Sequence, residues 1–591
     1  MQWSIEVKPL HMNGRDRQGK HVGGVTRADE GRGTFAVPKT GRPDQPTNTF
    51  HMKRIPHLAI AAAVAGLATS SGHAQSIGSA CGCPDVSART VVNLDPNSAV
   101  LDAQGNLIPS SYTMTCDKLY LLSDRMYIGA NQDLYIEPGT VVKVANVGGG
   151  NGACVIVSRQ GQIWANGNES CPIIFTAQAD PLDGSYAVTN RGKWGGLILL
   201  GRAYNNVRST DVGSVALTGT DGVGLIEGLL NGDARNYYGM PVGSEVNDDN
   251  SGVLRYVSLR HGGEKLGTNN EINGLTLGSV GSGTTIDHVE VIGNLDDCFE
   301  FFGGTVNAKY LVGMHSDDDG LDWDQGFSGK LQFYYGLQGP ENNGGALNQG
   351  DNGVELDSDD HSSNTGNRST AQIWNATIFS RTDGVSSAGN LNPLNTAGDE
   401  AIEAKERTWG SVNNSIFCNF RSGLNLAGAV GAANTTDIWL ANNFNVKNCT
   451  FQGCAEPLRI NGVNTTSGAN FTKFTTTDGN SIVAAGALLD ATFDTNPFNS
   501  NTIADRVNPV PAAGAATSTL KAPADGFFTG VQYRGAFEPG KAPWTQGWTL
   551  ASKIGSDVSA VAGCAGDLNR DGAINSTDFG LFVGAFNGTC Y

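Results

Sequence analysis

Acidic side chains recur in a repeated phrase near the middle of the chain. The stretch 296–302 (DDCFEFF) is followed 22 residues later by 318–324 (DDGLDWD), and 351–357 (DNGVELD) is a third copy. Two residues after the turn position, the copies carry Glu300, Asp322 and Glu355. If the copies stack as neighbouring strands, these carboxylates lie about 4.8 Å apart and repel one another. Such a row must take up protons or bind a cation, so these three residues are candidate catalytic residues.

The same copies supply further candidate ligands. Weaker copies at 382–386, 422–426 and 456–460 continue the row with Ser386, Asn425 and Arg459. Calcium suits the row because it takes about six to eight oxygen ligands. The candidate binding carboxylates are Asp297, Asp319, Asp324, Asp357 and Asp383. The alternative is a structural turn ladder in a solvated acidic face, because Asp-Gly and Asn-Gly favour turns.

Other residues of this region give weaker signals. The histidines His261, His288, His315 and His361 show no spacing typical of a transition-metal site, and we expect no shared column for them. Arg260, Lys330, Arg368 and Arg381 could act near a metal, and nothing in the sequence singles one out. The sequence lacks a Gly-x-Ser-x-Gly elbow and a phosphate-binding loop here. An enzymatic role therefore depends on the acidic residues.

A second oxygen-rich motif lies near the C-terminus. The loop 567–578 has a Gly at its sixth position for the sharp turn. Its predicted calcium ligands are Asp567, Asn569, Asp571, Ala573 (through its carbonyl), Asn575 and Asp578. The loop and the apolar residues after it resemble half of a dockerin, the duplicated calcium module that docks onto cohesins. The resemblance implies a cohesin-like or cell-surface partner, although a complete dockerin carries two such loops.

The elements that position the acidic row are short strands. Each copy is a turn followed by an alternating strand, so Leu321 and Trp323 should point inward, and helix-period segments between copies are missing. A 22-residue period is too short for a βαβ unit. Asn375, Asn414 and Asn448 each stand nine residues before a turn position, which fits asparagine side chains stacked along the axis of a parallel solenoid. This combination resembles the right-handed parallel β-helix of the pectate-lyase-like class. In that class a calcium-binding acidic cluster on an exposed parallel sheet engages a uronate substrate.

The resemblance organises the chain into an all-β solenoid with smaller flanking parts. We predict an N-terminal cap at 75–94, the β-helix at 95–503, a cap and linker at 504–560, and the calcium module at 561–591. Phrases such as 135–143 (YIEPGTVVK) and 255–263 (RYVSLRHGG) also resemble a group of secreted bacterial β-helix proteins. The segment from Phe527 to Trp548 resembles the closing segment of that group.

The N-terminal region carries an export signal. A basic start at Met52–Arg54 precedes a short apolar stretch at 58–68, and Ala74 ends a small-residue cleavage site. We therefore assign 52–74 as a signal peptide and treat 1–51 as an extension without structure. The protein is then secreted, extracellular or on the cell surface, and its 11 cysteines can form disulfides. Cys298, in an apolar segment, is predicted to be a buried thiol.

Composition limits the function. The 591 residues carry 39 Lys+Arg and 57 Asp+Glu, a formal charge of −18, which argues against nucleic acid as a partner. No apolar run after residue 68 is long enough to span a membrane. The sequence favours calcium-dependent binding of a polysaccharide or other extracellular polymer. The alternatives are a polysaccharide lyase or hydrolase acting on the acidic face, and a structural or adhesive surface protein.

Overall fold

The chain winds into stacked coils of short strands. The structure is a computed structural model that describes residues 77–146, 152–209, 220–267, 270–339, 352–358, 368–381, 400–428, 434–493 and 505–557. Strands rich in Val, Ile, Leu and aromatic residues alternate with turns of Gly, Asn and Asp, which is the composition that short strands and tight turns favour. The predicted right-handed parallel β-helix is confirmed.

One sheet, here called the acidic sheet, carries the repeated acidic phrase. Its strands pair in chain order and in parallel, apart from a final antiparallel hairpin. Within the described residues its strands are Met126–Ile128, Val155–Val157, Leu197–Leu200, Leu275–Gly278, Phe299–Phe302, Leu321–Asp324, Glu355–Leu356, Glu400–Ala404, Ser422–Leu426, Glu456–Ile460 and Val463–Asn464. Each coil thus contributes one strand to this sheet, as a parallel solenoid requires.

The second sheet, here called the large sheet, receives one long or two short strands from each coil. Its strands within the described residues are Thr90–Leu94, Ser111–Met114, Lys118–Leu122, Asp133–Ile136, Val141–Val144, Gln162–Asn166, Ile173–Ala177, Gly252–Arg260, Thr285–Ile292, Asn307–Met314, Lys330–Leu337, Gln372–Trp374, Thr377–Phe379, Gly410–Asn413, Ile416–Cys418, Phe444–Lys447, Thr450–Gln452 and Ser481–Val483.

A bend at one position divides the strands of the large sheet. The residues at this corner have left-handed backbone conformations: Tyr256, His288, Tyr310, Phe333, Asn375, Asn414 and Asn448. The first four stack their rings along the solenoid axis, with centroids 4.3 to 4.9 Å apart. Further along, the Asn448 amide donates a 2.6 Å hydrogen bond to Asn414 Oδ1, which confirms the predicted asparagine stacking there. Asn375 occupies the same column but donates to the Tyr533 carbonyl.

Apolar side chains from both sheets fill the interior of the coils. Leu321 and Trp323 point inward and are fully buried, as predicted, and the Trp323 indole donates to Thr408 Oγ1. Cys298 is a buried free thiol, also as predicted. Disulfides Cys81–Cys171 and Cys83–Cys116 tie the first coils together. This continuous core holds the acidic sheet rigid.

Shorter elements cover parts of the solenoid. An antiparallel pair, Val223–Leu225 with Tyr237–Gly239, packs Tyr238 against Phe302 on the outer face of the acidic sheet. Further two-stranded pairs are Lys265–Gly267 with Asn270–Glu271 and Asp490–Thr492 with Arg506–Asn508. The described helices are Ser79–Cys81, Val86–Ala88, Ala234–Asn236, Thr435–Leu440, Gly468–Thr472, Lys473–Thr477 and Leu550–Ile554. None of these is long and apolar enough to cross a bilayer.

The chain after residue 504 lies along the flank of the solenoid. We define 505–557 as the flank segment. Its Arg534 donates to Asn448 Oδ1, its Thr529 bonds to Gln332, and its Lys553 reaches the Leu182 carbonyl. We predicted a cap over an open end for this part, but its described residues run back beside the coils. Near the C-terminal coils, Phe474 of the helix Lys473–Thr477 packs into the core.

Several predicted parts lie outside the described residues. These are the extension 1–51, the signal peptide 52–74, Asp383 and the calcium module 561–591. The domain boundaries therefore remain predictions.

Candidate functional site

The parallel register of the acidic sheet brings the predicted carboxylates into one row. Glu300 pairs with Asp322, and Asp322 pairs with Glu355 on the next strand. On the strand before Glu300, the paired position holds Thr276. On the strands after Glu355, the same position holds Glu403, Asn425 and Arg459. Ser386, which we predicted to follow Glu355, lies outside the described residues, and the residue that pairs with Glu355 is Glu403 of the strand Glu400–Ala404. Four consecutive strands therefore present a carboxylate on the outer face.

A second ladder runs through the turns that precede these strands. Asp297 Oδ1 accepts a 2.8 Å hydrogen bond from the backbone N–H of Asp319, and Asp319 Oδ1 accepts one of 2.6 Å from Asn352. Asn273 Oδ1 accepts in turn from the backbone of Asp297. The side-chain amides of Asn273 and Asn352 also donate to Glu300 and Glu355. The turn ladder thus orients part of the carboxylate row.

The two ladders meet at a group of three carboxylates. Asp297, Glu300 and Asp322 each offer an oxygen, and these oxygens all lie within 4.8 Å of one another. A neighbouring group, Asp296, Asp297 and Asp318, meets the same distance criterion and shares Asp297 with the first. We call the first group the carboxylate cluster. The sequence-predicted residues Asp297, Glu300 and Asp322 are therefore brought together.

Burial and mutual repulsion raise the proton affinity of these groups. Burial, reinforced by Asp324, raises the pKa of Asp322 to about 8. Burial, followed by the charge of Glu227, raises the pKa of Glu300 well above its usual range. The pKa of Asp297 rises in the same direction through burial and the charge of Asp319. Without a counter-ion, these carboxylates share protons near neutral pH.

Further along the row, Glu403 and its neighbours extend the acidic face. Burial, followed by the charge of Glu400, raises the pKa of Glu403 to about 7, although Asn425 donates to its carboxylate. Asp357, directly after the strand Glu355–Leu356, has its pKa raised by burial and by the charge of Asp322. Both predicted residues Asp324 and Asp357 thus belong to the same acidic surface.

Besides the predicted Arg459, a second cation on this face is Lys405, which the sequence did not indicate. Lys405 Nζ forms ion pairs with Glu355 and, at 3.5 Å, with Asp357. Of the predicted basic candidates, Lys330 pairs with Asp525 of the flank segment and Arg381 pairs with Asp505. Arg260 lies on the large sheet beside Ser258. Lys405 directly follows the strand Glu400–Ala404. The sequence pattern did not indicate that this strand belongs to the acidic sheet.

The carboxylate cluster fits a hard divalent cation. Its donors are all oxygens, which calcium prefers over nitrogen and sulfur. Asp322 Oδ1 is a buried atom without a hydrogen-bond partner. A buried carboxylate oxygen in this state indicates a missing proton, water or cation. Asp297, Glu300 and Asp322 are the residues that would hold calcium here, where it would neutralise the row and could bridge to an anionic ligand.

Two histidines, His261 and His315, lie near the turn-ladder residues in sequence. In the structure they share one column of the large sheet, which we did not predict. His261 and His315 follow paired residues of the large sheet and occupy the same corner position, with Gly293 between them. Both rings are fully buried. Burial lowers the pKa of His261 to about 4, and burial with the charges of Arg381 and Arg191 lowers that of His315. Neither is part of the carboxylate cluster.

Comparison with known proteins places the chain in a family. Residues 106–494 match the family model described as "Pectate-lyase like beta helix domain". A crystal structure of pectate lyase Pel9A is similar, at 12% identity and a TM-score of 0.33, over 68% of this chain and 88% of that chain. No curated protein matches the chain. Because the matched region takes in most of both sheets, the chain belongs to the pectate-lyase-like β-helix domain family.

Proposed function

We propose that this protein binds an extracellular polysaccharide through calcium held on the acidic sheet. The observation that carries the proposal is the carboxylate cluster, in which three carboxylate oxygens lie within 4.8 Å of one another. A net charge of −18 disfavours an anionic glycan unless a cation bridges the two. Calcium can use protein oxygens on one side and glycan oxygens on the other, since it accepts flexible coordination.

The surroundings of the cluster support a binding surface. The row runs along parallel strands on a rigid core, so its carboxylates need little ordering when a polymer binds. At the end of the row, Arg459 forms a 2.6 Å ion pair with Glu400 and keeps the surface polar there. Two disulfides near the N-terminal coils support an oxidising compartment, and we propose that the protein is secreted or displayed at the cell surface.

A second candidate function is polysaccharide lysis, and Lys405 is the observation that favours it. A lyase needs a base that removes the proton beside the uronate carboxylate, while the adjacent glycosidic C–O bond breaks and leaves a double bond. Lys405 lies on the acidic face, paired with Glu355 and Asp357. In this reading the Lys405 amine acts as the base after it has given up its proton to solvent, and the departing glycosidic oxygen takes a proton from solvent. The carboxylate row with calcium would neutralise the uronate.

We further propose that the C-terminal loop binds calcium and docks a partner. The ligands would be Asp567, Asn569, Asp571, Ala573, Asn575 and Asp578, and the partner would be cohesin-like or another surface protein. Five side-chain oxygens in register around Gly572 support the calcium assignment.

One set of experiments separates these functions. The mature protein is run through gels containing uronate or neutral polysaccharides, with calcium or with chelator. Calcium-dependent retardation on a uronate polymer, lost in Glu300→Gln with Asp322→Asn, supports binding at the row. Ultraviolet absorbance from unsaturated uronate, lost in Lys405→Met but not in a Lys447→Met control, supports lysis. Unchanged retardation in the row variants would refute the proposed site.

A further inference from the structure

Two aromatic side chains, one exposed and one partly buried, lie on the outer face of the large sheet. Tyr135 and Trp164 are paired directly across neighbouring parallel strands. Their rings are nearly parallel, with an interplanar angle of 10° and centroids 6.2 Å apart. Tyr135 is 41% exposed, whereas most aromatic residues of the described coils are buried. We call this pair the aromatic platform.

The platform is fixed before any ligand arrives. Trp164 Nε1 donates a 2.9 Å hydrogen bond to Asp133 Oδ1, so the indole is tied to the same strand that carries Tyr135. Both residues belong to strands within the continuous sheet, which leaves their backbone little freedom. An exposed surface that is already ordered loses little conformational entropy on binding. Stabilisation of the sheet alone would not require Tyr135 to remain open to solvent.

Polar side chains border the platform on both sides. Asp133 and Gln162 precede the two rings by two residues, and Glu137 and Asn166 follow them by two. Side chains alternate along a strand, so Asp133, Gln162 and Asn166 share the outer face with the rings. Glu137 lies just beyond the strand, where its carboxylate accepts a 3.0 Å hydrogen bond from the backbone N–H of Cys116. Within the platform's own column the neighbouring coils place Thr113 and Val253, so the apolar area stays narrow. A narrow aromatic strip between hydrogen-bonding groups differs from the broad apolar patch of a protein interface.

From this arrangement we infer that the aromatic platform binds a neutral glycan chain. A pyranose ring has an apolar face of C–H groups that packs on an aromatic ring, and hydroxyl groups around its edge that need hydrogen-bond partners. The parts of the Tyr135 and Trp164 rings that their stacking leaves uncovered supply the apolar surface, and Asp133, Gln162 and Asn166 supply acceptors and donors beside it. The carboxylates of Asp133 and Glu137 repel a polyanion, and the nearby Arg255, which donates to Asn166, is already paired with Asp287 at 3.4 Å, so an uncharged ligand is favoured. This site lies on a different sheet from the carboxylate row and needs no cation.

The inference goes beyond the proposed function, and its test is independent of calcium. The full mature protein is run in chelator through gels containing galactomannan, xyloglucan or hydroxyethylcellulose. We expect at least one of these neutral polymers to retard the wild type. Tyr135→Ala with Trp164→Ala should weaken that retardation by about tenfold in apparent Kd, which corresponds to about 1.4 kcal/mol. The matched control is Ile482→Ala, another exposed apolar residue of the large sheet at 39% exposure.

Two further variants keep the outcome interpretable. Tyr135→Ser alone removes the more exposed ring and leaves the Trp164–Asp133 hydrogen bond in place. If the double variant fails to fold, this single variant replaces it in the binding test. Glu300→Gln with Asp322→Asn should retain neutral-polymer binding, which separates this site from the calcium site. Wild-type protein that none of the three polymers retards in chelator would overturn the inference. Retardation that persists equally in the platform variants would also overturn it.

Discussion

Asp297 Oδ1 accepts a 2.8 Å hydrogen bond from the backbone N–H of Asp319, one coil further along the solenoid. Asn273 makes the equivalent bond to the backbone of Asp297 with its amide oxygen. A carboxylate and an amide therefore perform the same structural task in neighbouring coils. The ladder does not require the negative charge of Asp297, which leaves that charge available for a cation.

This equivalence predicts opposite effects for two substitutions at Asp297. Asp297→Ala should destabilise the protein by about 1–3 kcal/mol, because a buried backbone N–H loses its acceptor. Asp297→Asn should be at least as stable as wild type in chelator, because the acceptor remains and a buried charge is removed. Thermal melts with and without calcium measure both effects. If Asp297→Asn gains as much melting temperature from calcium as wild type, Asp297 is not a ligand.

The raised pKa of Asp322, about 8, predicts how stability depends on pH. An unfolded Asp titrates near 3.9, so between about pH 4 and about pH 8 only the folded state holds the proton, and stability falls as pH rises across that window. In chelator, the melting temperature should fall as pH rises from about 5 to about 8 and should level off above this pKa. Asp322→Asn should fall less over that range.

Calcium provides the internal control for this pH effect. A bound cation replaces the shared protons, so it should stabilise wild type more at the alkaline end of the range. The comparison between wild type and Asp322→Asn cancels contributions from other titrating groups. Parallel pH profiles for the two proteins in chelator would argue against a protonated carboxylate cluster.

One buried carboxylate helps to hold the flank segment against the solenoid. Glu290 accepts hydrogen bonds from the backbone N–H groups of Leu550 and Ala551, at 2.9 and 2.8 Å, at the start of the helix Leu550–Ile554. In Glu290→Ala these N–H groups lose their acceptor, at a cost of about 1–3 kcal/mol each. We expect amide exchange in 544–557 to accelerate about tenfold or more. The exposed Glu538→Ala serves as control, and equal exchange in both variants would contradict this docking.

Two separate calcium populations are expected in the full chain. Asp567→Ala with Asp571→Ala should remove calcium binding by the C-terminal loop, and Glu300→Gln with Asp322→Asn should remove that of the carboxylate cluster. Isothermal titration of the full mature chain measures the loss in each variant and in their combination. A titration that neither pair changes would refute both assignments.

The sequence by itself determined the solenoid and the first part of its acidic row. In a parallel stack, equal positions of successive copies lie opposite one another, so Glu300, Asp322 and Glu355 could be aligned from the repeated phrase alone. The asparagine column at Asn414 and Asn448 followed from the same rule. The buried Trp323 followed from strand alternation.

Only the tertiary structure decided which strand follows Glu355 in the row and where the flank segment docks. The one copy of the phrase between Asp357 and Glu400 is the diluted copy at 382–386, so local pattern could not show that Glu403 and Lys405 belong to the row. The aligned histidines His261 and His315 were hidden because unequal coil lengths separate them in sequence. The flank segment docks through contacts such as Glu290 with Leu550, 260 residues apart. Contacts of that separation depend on the completed fold, because local periodicity carries no information about which distant surfaces will meet.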